Sequence, residues 1–238
     1  MLKSEDLQKA AEDFRYLLNR GYPRKAALEM VGNRYQLASD ERHLLHRGVF
    51  SDRDAGLRQK KKIPLEKIRG KDLVIDGYNV LITIEAALSG RPLVLGNDGF
   101  IRDISGVSGN FKKTDKTDGA FQLIFDFIKR VKPRQTLLLF DSPISRSGEL
   151  AQEVRDGLER KNLSGDAIAV RVPEKILIGF PGRVATSDTA IIDQSKQVVD
   201  LAGYIIMNLP FRSGFAGTAT NSTHLIRWRG KRGAVGKR

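Results

Sequence analysis

The strongest constraint on the fold is a regular alternation of short apolar runs and amphipathic helical segments between residues 73 and 209. The apolar runs are short and rich in Val, Ile and Leu, as buried strands are. The predicted strands are 73–76, 136–141, 166–172, 183–188 and 204–209. Strands that alternate with helices predict a parallel sheet wrapped by helices. We therefore expect an α/β domain with about five parallel strands.

A helical region precedes this pattern. Apolar residues recur at helical spacing in 3–20, in 23–31 and again from about residue 40, with breaks at Gly21 and Gly32. Three short helices with basic residues resemble a helix-turn-helix unit in size, although any small helical bundle has this pattern. The expected organisation is a helical domain at 1–55, a charged linker at 56–71, the α/β domain at 72–210 and a basic, Gly-rich tail at 211–238.

Composition narrows the classes of function. The chain of 238 residues has no cysteine, which excludes a disulfide framework, a thiolate nucleophile and a cysteine-bound zinc site. Its longest apolar runs fall short of the roughly 18 residues that a membrane span requires. The first 14 residues are amphipathic and contain acids, unlike a signal peptide. We therefore expect a cytoplasmic protein that does not use a membrane as its partner.

The net charge of +13 is concentrated at the two ends of the chain. Residues 1–70 carry +6, residues 71–210 are neutral, and residues 211–238 carry +7 with no acid. Basic flanks favour a polyanionic partner, because Lys and Arg that neutralise phosphates release counterions. Solubility, or a composition suited to high temperature, would explain the same charge.

Acidic residues mark the ends of three predicted strands. Asp76, Asp141 and Asp188 each end a strand, and Asp193 follows on the next helix. Ligands of open parallel sheets bind at the carboxyl ends of the strands, so these carboxylates should converge. Converging carboxylates repel each other and are costly to desolvate, and a hard cation such as Mg²⁺ or Mn²⁺ relieves both costs. Each aspartate has a simpler explanation as a turn or helix-capping residue.

Other catalytic arrangements fit less well. The chain lacks the phosphate loop GxxxxGK(S/T), a GxGxxG after a strand, and the GxSxG nucleophile motif. Its histidines, at positions 43, 46 and 224, lie outside the predicted sheet, which disfavours a histidine zinc site or a catalytic triad.

Three motifs in order resemble those of PIN-like nuclease domains, especially of their NYN branch. They are IDGYNVL at 75–81, LLLFD at 137–141 and ATSD at 185–188. The resemblance covers about residues 70–210 and implies a metal-dependent ribonuclease with a Mg²⁺ or Mn²⁺ cleft. It assigns Asp76, Asp141 and Asp188 to the metal. Asn79 would orient the site and Ser187 would support its loop.

The sequence departs from that family at one position. The family usually carries an acid on the helix before its fourth strand, whereas residues 175–183 contain none. Asp193 could substitute for it, or Asp98, Asp103 or Glu149 could fold into the site. Some PIN-like domains only bind RNA, so a silent binding module is the alternative. The helical region followed by this core also resembles an uncharacterised, mainly archaeal protein family.

Several cations are candidates for nucleic-acid contacts. Arg102 lies in the insertion 96–113, which could cover the cleft or pack as a structural flap. Arg146 and Ser147 lie at a predicted helix start, where an anion could bind. Arg227 and Arg229 flank the only tryptophan of the basic tail. RNA is the expected partner, and DNA could bind through the amino-terminal helices if they form a helix-turn-helix regulator.

Overall fold

A computed structural model describes residues 4–104, 111–209 and 225–228. Its helices are α1 (Ser4–Asn19), α2 (Arg24–Arg34), α3 (Ser39–Gly48), α4 (Asp52–Lys61), α5 (Gly77–Leu88), α6 (Thr117–Val131), α7 (Ser147–Arg160), α8 (Pro173–Gly179), α9 (Thr189–Gln194) and α10 (Leu201–Asn208). Its strands are β1 (Leu73–Asp76), β2 (Leu93–Leu95), β3 (Ile101–Asp103), β4 (Thr136–Asp141), β5 (Gly165–Val170), β6 (Arg183–Ala185), β7 (Val198–Val199) and β8 (Leu225–Arg227).

The predicted fold class is confirmed. Five strands form one parallel sheet in the order β5-β4-β1-β6-β7, and helices flank it. In the centre of the sheet, Asp76 of β1 is paired with Leu139 of β4. The parallel order places the carboxyl ends of β1, β4 and β6 next to each other at one edge.

Helix α5 follows β1 directly because Gly77 allows a very close approach. A Cβ atom at this position would lie 2.6 Å from the carbonyl oxygen of Leu139 and 2.6 Å from the ring of Phe140. Both contacts are shorter than side chains tolerate, so only glycine fits here. The close approach holds Asp76 beside the end of β4.

The helical region has a core of its own. Phe14, Ala27 and Leu45 are among the buried residues that join α1, α2 and α3. A fourth helix, α4, occupies the first part of the segment expected as a linker, and the Ser51 hydroxyl accepts the Asp54 amide at 3.1 Å to cap it. The rest of that segment is also packed, since the Ile63 amide donates to the Val198 carbonyl at 2.9 Å. Helical propensity and tertiary packing therefore structure a stretch whose charge suggests a linker.

The prediction of a fifth strand at 204–209 is wrong. Most of this run belongs to helix α10, and the edge strand of the sheet is β7, which precedes that helix. Asp200 stabilises the start of α10, because its carboxylate accepts the Gly203 amide at 3.0 Å. A short apolar run is compatible with a buried helix as well as with a buried strand, and periodicity cannot separate the two.

A second, three-stranded sheet has the order β3-β2-β8. It uses β2, which precedes the insertion 96–113, together with β3 from that insertion and β8 from the basic tail. Strands β2 and β3 pair antiparallel, whereas β8 pairs parallel with β2. In the part of the chain that the structure describes, no helix is both long and apolar enough to cross a membrane.

Candidate active site

A cleft of about 390 Å³ opens at the carboxyl edge of the five-stranded sheet, and carboxylates dominate its lining. The three predicted strand-end acids, Asp76, Asp141 and Asp188, line it together. Asp103 at the end of β3 and Glu174 at the start of α8 line the same space. We call this space, defined by Asp76, Asp141, Glu174 and Asp188, the carboxylate cleft.

Asp76 is the most strongly desolvated of these acids. Burial raises its pKa to about 7, and the negative charges of Asp188 and Glu174 add to the shift. A hydrogen bond from the Thr186 hydroxyl to Oδ2, at 2.8 Å, opposes the shift and orients the carboxylate. A carboxylate in this setting has a strong electrostatic reason to bind a proton or a cation.

The loop that leads from β6 into α9 is tied to α5. The Asn79 side-chain oxygen accepts the Ser187 amide at 2.8 Å and the Ser187 hydroxyl at 3.0 Å. Asp188 follows, and its Oδ1 accepts the amides of Ala190 and Ile191 at 2.8 and 3.1 Å. Asp188 therefore acts as a helix cap and lines the cleft at the same time, so its two sequence explanations are compatible.

Glu174 is an acid that the sequence interpretation did not select. Helix α8 begins at Pro173, so Glu174 lies on the helix that precedes β6. Burial raises the pKa of Asp141, and the negative charge of Glu174 adds to this shift. Pro at the first position of a helix, followed by an acid in the first turn, was the available sequence signal.

The donor set of the cleft is suited to a hard divalent cation. Carboxylate oxygens are the donors that it offers, and none of the four acids that define the cleft forms an ion pair with a described Lys or Arg. The described residues contain no group of three or more His, Cys, Asp or Glu close enough to enclose an ion by themselves. Mg²⁺ usually keeps several waters and binds through one or two carboxylates, which such an open arrangement permits.

Of the other acids proposed as ligands, Asp103 lines the cleft, and the remaining three are placed elsewhere. Asp193 faces Arg58, which binds it through two hydrogen bonds of 2.7 Å. Asp98 is fully buried and accepts two bonds from Arg102, at 2.9 and 2.7 Å. Glu149 lies 3.5 Å from Arg146 in a neighbouring groove. Arginine partners thus neutralise all three.

The candidate nucleic-acid contacts fall into different environments. Arg102 is buried, and its Nε donates to the Ser187 carbonyl at 2.7 Å. Arg146 is exposed and lines a groove that shares Tyr78 with the carboxylate cleft. Ser147 is buried, and its hydroxyl donates to the Ser142 carbonyl at 3.4 Å. Arg227 is exposed on β8, away from the carboxylate cleft, and Arg229 lies outside the described residues.

One cation of the helical region reaches the cleft. Arg47, near the end of α3, lines the carboxylate cleft and also a second pocket between the helical region and the sheet. Its Nε is buried without a hydrogen-bond partner among the described residues. Burial lowers the pKa of Arg47, and the negative charges of Asp103 and Asp188 oppose that effect. In the sequence, Arg47 is one of several basic residues of the helical region, and its spacing gives no sign of this position.

Fold and site together define an α/β protein with an amino-terminal helical region and an acidic cleft at the carboxyl edge of a parallel sheet. The chain belongs to the family described as "Domain of unknown function (DUF5616)", whose model matches residues 65–204. Residues 6–61 match "Protein of unknown function (DUF434)". The chain is 36% identical over 197 residues to "Uncharacterized protein MJ0935" of Methanocaldococcus jannaschii, covering 82% of this chain and 94% of that protein. No solved structure matches it.

Proposed function

We propose that this protein is a divalent-metal-dependent ribonuclease that hydrolyses RNA phosphodiester bonds in the carboxylate cleft. The observation that carries the proposal is the set of four carboxylates, from four separate chain segments, that line one cleft without forming an ion pair with a described Lys or Arg. Buried acids that serve structure alone are normally paired, as Asp98 is. Asp76 and Asp141 are half-buried and burial raises the pKa of both, so keeping them without an ion pair costs stability and favours a functional reason, while Glu174 and Asp188 add exposed negative charge beside them.

Asp76, Asp141 and Asp188 would hold Mg²⁺ or Mn²⁺, directly or through water, with Glu174 as a further oxygen ligand. When bound, such an ion lowers the pKa of a coordinated water and stabilises charge on a phosphate. The protein keeps its ligands in place through hydrogen bonds, from Thr186 to Asp76 and from Ser187 to Asn79. Ligands fixed in this way do not have to reorganise when the substrate binds.

RNA as the substrate is supported by the resemblance to the NYN branch and by the positive charge around the cleft. The neighbouring groove that shares Tyr78 carries Lys112, which forms no ion pair with a described residue, together with Lys113 and Arg146, which are paired with Glu153 and Glu149. On the other side, Arg47 extends from α3 toward the acids. A strand that crosses the acidic centre would meet basic residues on both sides, which favours a sequence-independent grip on the backbone.

The packing of α3 favours a role at the carboxylate cleft over a role as a DNA recognition helix. A Cβ atom at Gly48 would lie 2.4 Å from Val94 and 2.7 Å from Trp228, so the end of α3 is pressed against the second sheet. A recognition helix needs a free face to enter the major groove. Arg47, near the end of this helix, instead lines the carboxylate cleft with its positive charge.

Cleavage of a labelled single-stranded RNA, followed on denaturing gels with Mg²⁺, Mn²⁺ or EDTA, tests the proposal. We expect metal-dependent cleavage by the wild type and a loss of at least about a hundredfold in Asp76→Asn, with RNA affinity retained. Asp166→Asn, an exposed acid at the start of β5 on the opposite edge, is the matched control. A wild type that binds RNA but never cleaves it with either metal would favour the silent binding module instead.

A further inference from the structure

The pocket on the helical side of the carboxylate cleft has an unusual concentration of arginines. It has a volume of about 500 Å³ and lies between the helical region and the five-stranded sheet. We call it the arginine pocket, and it is defined by Arg24, Arg47, Phe50, Arg58 and Arg102. Three of the guanidinium groups surround the Phe50 ring at 4.4 to 5.0 Å from its centroid.

Only two of the four arginines have carboxylate partners among the described residues. Arg58 is paired with Asp193 and Asp98, and Arg102 is paired with Asp98. No ion pair joins Arg24 or Arg47 to any carboxylate in the described ranges. The guanidinium of Arg24 donates to the His46 carbonyl, whereas that of Arg47 donates no hydrogen bond to a described residue. Arg24 and Arg47 therefore have no ion pair among the described residues, and acids attract them only from a longer distance, Asp98 and Asp54 for Arg24 and Asp103 and Asp188 for Arg47.

The positive charges around the pocket also act on each other. Burial lowers the pKa of Arg24 to about 10, the positive charges of Arg58 and Arg102 contribute, and the negative charges of Asp98 and Asp54 oppose the shift. Burial also lowers the pKa of His46 to about 4, with further contributions from Arg24 and Arg47. The pocket also contains two acids, Asp54 and Asp188, and Asp188 belongs to the carboxylate cleft as well. The two spaces are thus adjacent, and they share Arg47 and Asp188.

We propose that the arginine pocket binds a phosphate group of the strand whose neighbouring phosphodiester lies in the carboxylate cleft, and that Arg47 is the residue that contacts it. This inference rests on the proposed function and extends it to the helical region. Arg47 suits the role because it lines both spaces, and a guanidinium can offer two parallel N–H donors to one phosphate. The Nε of Arg47 is buried without a hydrogen-bond partner among the described residues, which is costly, and a bound phosphate oxygen would accept that hydrogen bond.

RNA binding is measured without a divalent metal, so that cleavage does not affect the result. The probe is a short, 3′-fluorescein-labelled oligouridine RNA, and its anisotropy is measured with the full chain in EDTA. We expect Arg47→Gln to weaken binding by about tenfold or more, as expected for one charge-assisted contact, and Arg47→Lys to weaken it less. Arg69→Gln, an exposed arginine before β1 at the opposite edge of the sheet, should change affinity less than about twofold.

Two further readouts separate a phosphate contact from a structural role. The slope of log affinity against log salt concentration should decrease by about one in Arg47→Gln. The thermal midpoint should be unchanged or raised, because the variant removes a buried Nε that has no partner among the described residues. Equal affinity and slope in Arg47→Gln and Arg69→Gln would overturn the proposal. So would a lower affinity that comes with a reduced thermal midpoint and an unchanged salt slope.

The source of the phosphate is distinguished by the 5′ end of the probe. Tighter binding of 5′-phosphorylated RNA than of 5′-hydroxyl RNA, seen in the wild type and lost in Arg47→Gln, assigns the pocket to a terminal phosphate. Equal binding of both probes by the wild type, with the loss in Arg47→Gln retained, assigns it to an internal phosphodiester.

The same variant separates this proposal from the nuclease proposal. If the wild type cleaves no RNA but Arg47→Gln still loses affinity, the nuclease proposal fails and the phosphate site stands. If the wild type cleaves RNA with metal but Arg47→Gln binds RNA as tightly as the wild type, the nuclease proposal stands and the phosphate site fails.

Discussion

The carboxylate cleft and the neighbouring ion-pair network around Asp98 differ in whether their acids have arginine partners. Asp98 is fully buried, but two arginines neutralise it. Asp76 is strongly desolvated as well, yet the Thr186 hydroxyl is its side-chain donor in the described structure, and further negative charges lie nearby. The network around Asp98 joins α4 of the helical region to the α/β region, whereas the acids of the cleft would be available to the proposed cation.

Removing the charge of Asp98 should have the largest effect on stability. Asp98→Asn leaves Arg58 and Arg102 with a neutral partner in a buried position. We expect a loss of about 3–5 kcal/mol in the free energy of unfolding, measured by urea denaturation. Asp166→Asn should stay within about 0.5 kcal/mol of the wild type. A small effect of Asp98→Asn would mean that the network does not hold the two regions together.

Removing the charge of Asp76 should stabilise the protein instead, and the size of this effect on the free energy of unfolding should depend on pH. Its pKa of about 7 in the folded protein exceeds the ordinary 3.8, so the folded state binds the proton more tightly than the unfolded state. The stability that this proton contributes is complete below about pH 4 and is lost as the pH rises toward about 7. The loss amounts to at most about 4 kcal/mol.

Asp76→Asn should remove this part of the pH dependence, because the side chain stays neutral and its oxygen can still accept the Thr186 hydroxyl. Urea denaturation of both proteins between about pH 4 and pH 8 measures the difference. Parallel stability curves for wild type and variant would show that Asp76 is not desolvated as described.

Glu174 should contribute to the proposed catalysis despite its position outside the resembling motifs. Glu174→Gln removes a negative charge from the cleft, and we expect RNA cleavage to decrease by about ten- to a hundredfold. Its matched control is Glu159→Gln, an exposed acid on α7. Full activity of Glu174→Gln, measured at several metal concentrations, would exclude Glu174 from the ion-binding set.

The smallest expected effect is stabilisation by the metal itself. A ligand present at tenfold excess over its dissociation constant stabilises the folded state by about 1.4 kcal/mol. Mg²⁺ should therefore raise the thermal midpoint of the wild type at about pH 8, and it should do so less in Asp141→Asn. Asp166→Asn should respond like the wild type. An equal response in all three proteins would place the bound ion outside the carboxylate cleft.

Sequence periodicity predicted the core of the fold because local patterns encode it. The runs at β1, β4, β5 and β6 are confirmed as parallel strands, since buried strands need continuous apolar residues. The run at 204–209 carries the same local signal but forms a helix. The second sheet was not predictable either, because β8 is distant in sequence from the β2 strand with which it pairs.

The sequence by itself determined that acids end successive strands and that basic residues flank a neutral domain, because strand spacing and composition are properties of the chain alone. Only the tertiary structure decided which acids remain without a cation in the described ranges. Asp193 is paired with Arg58, which is distant in sequence, and Asp98 is paired with Arg102 of β3. Glu174 lies at the cleft because α8 begins at Pro173. Ion pairing depends on distances of a few ångströms between separate segments, and such distances exist only after the chain has folded.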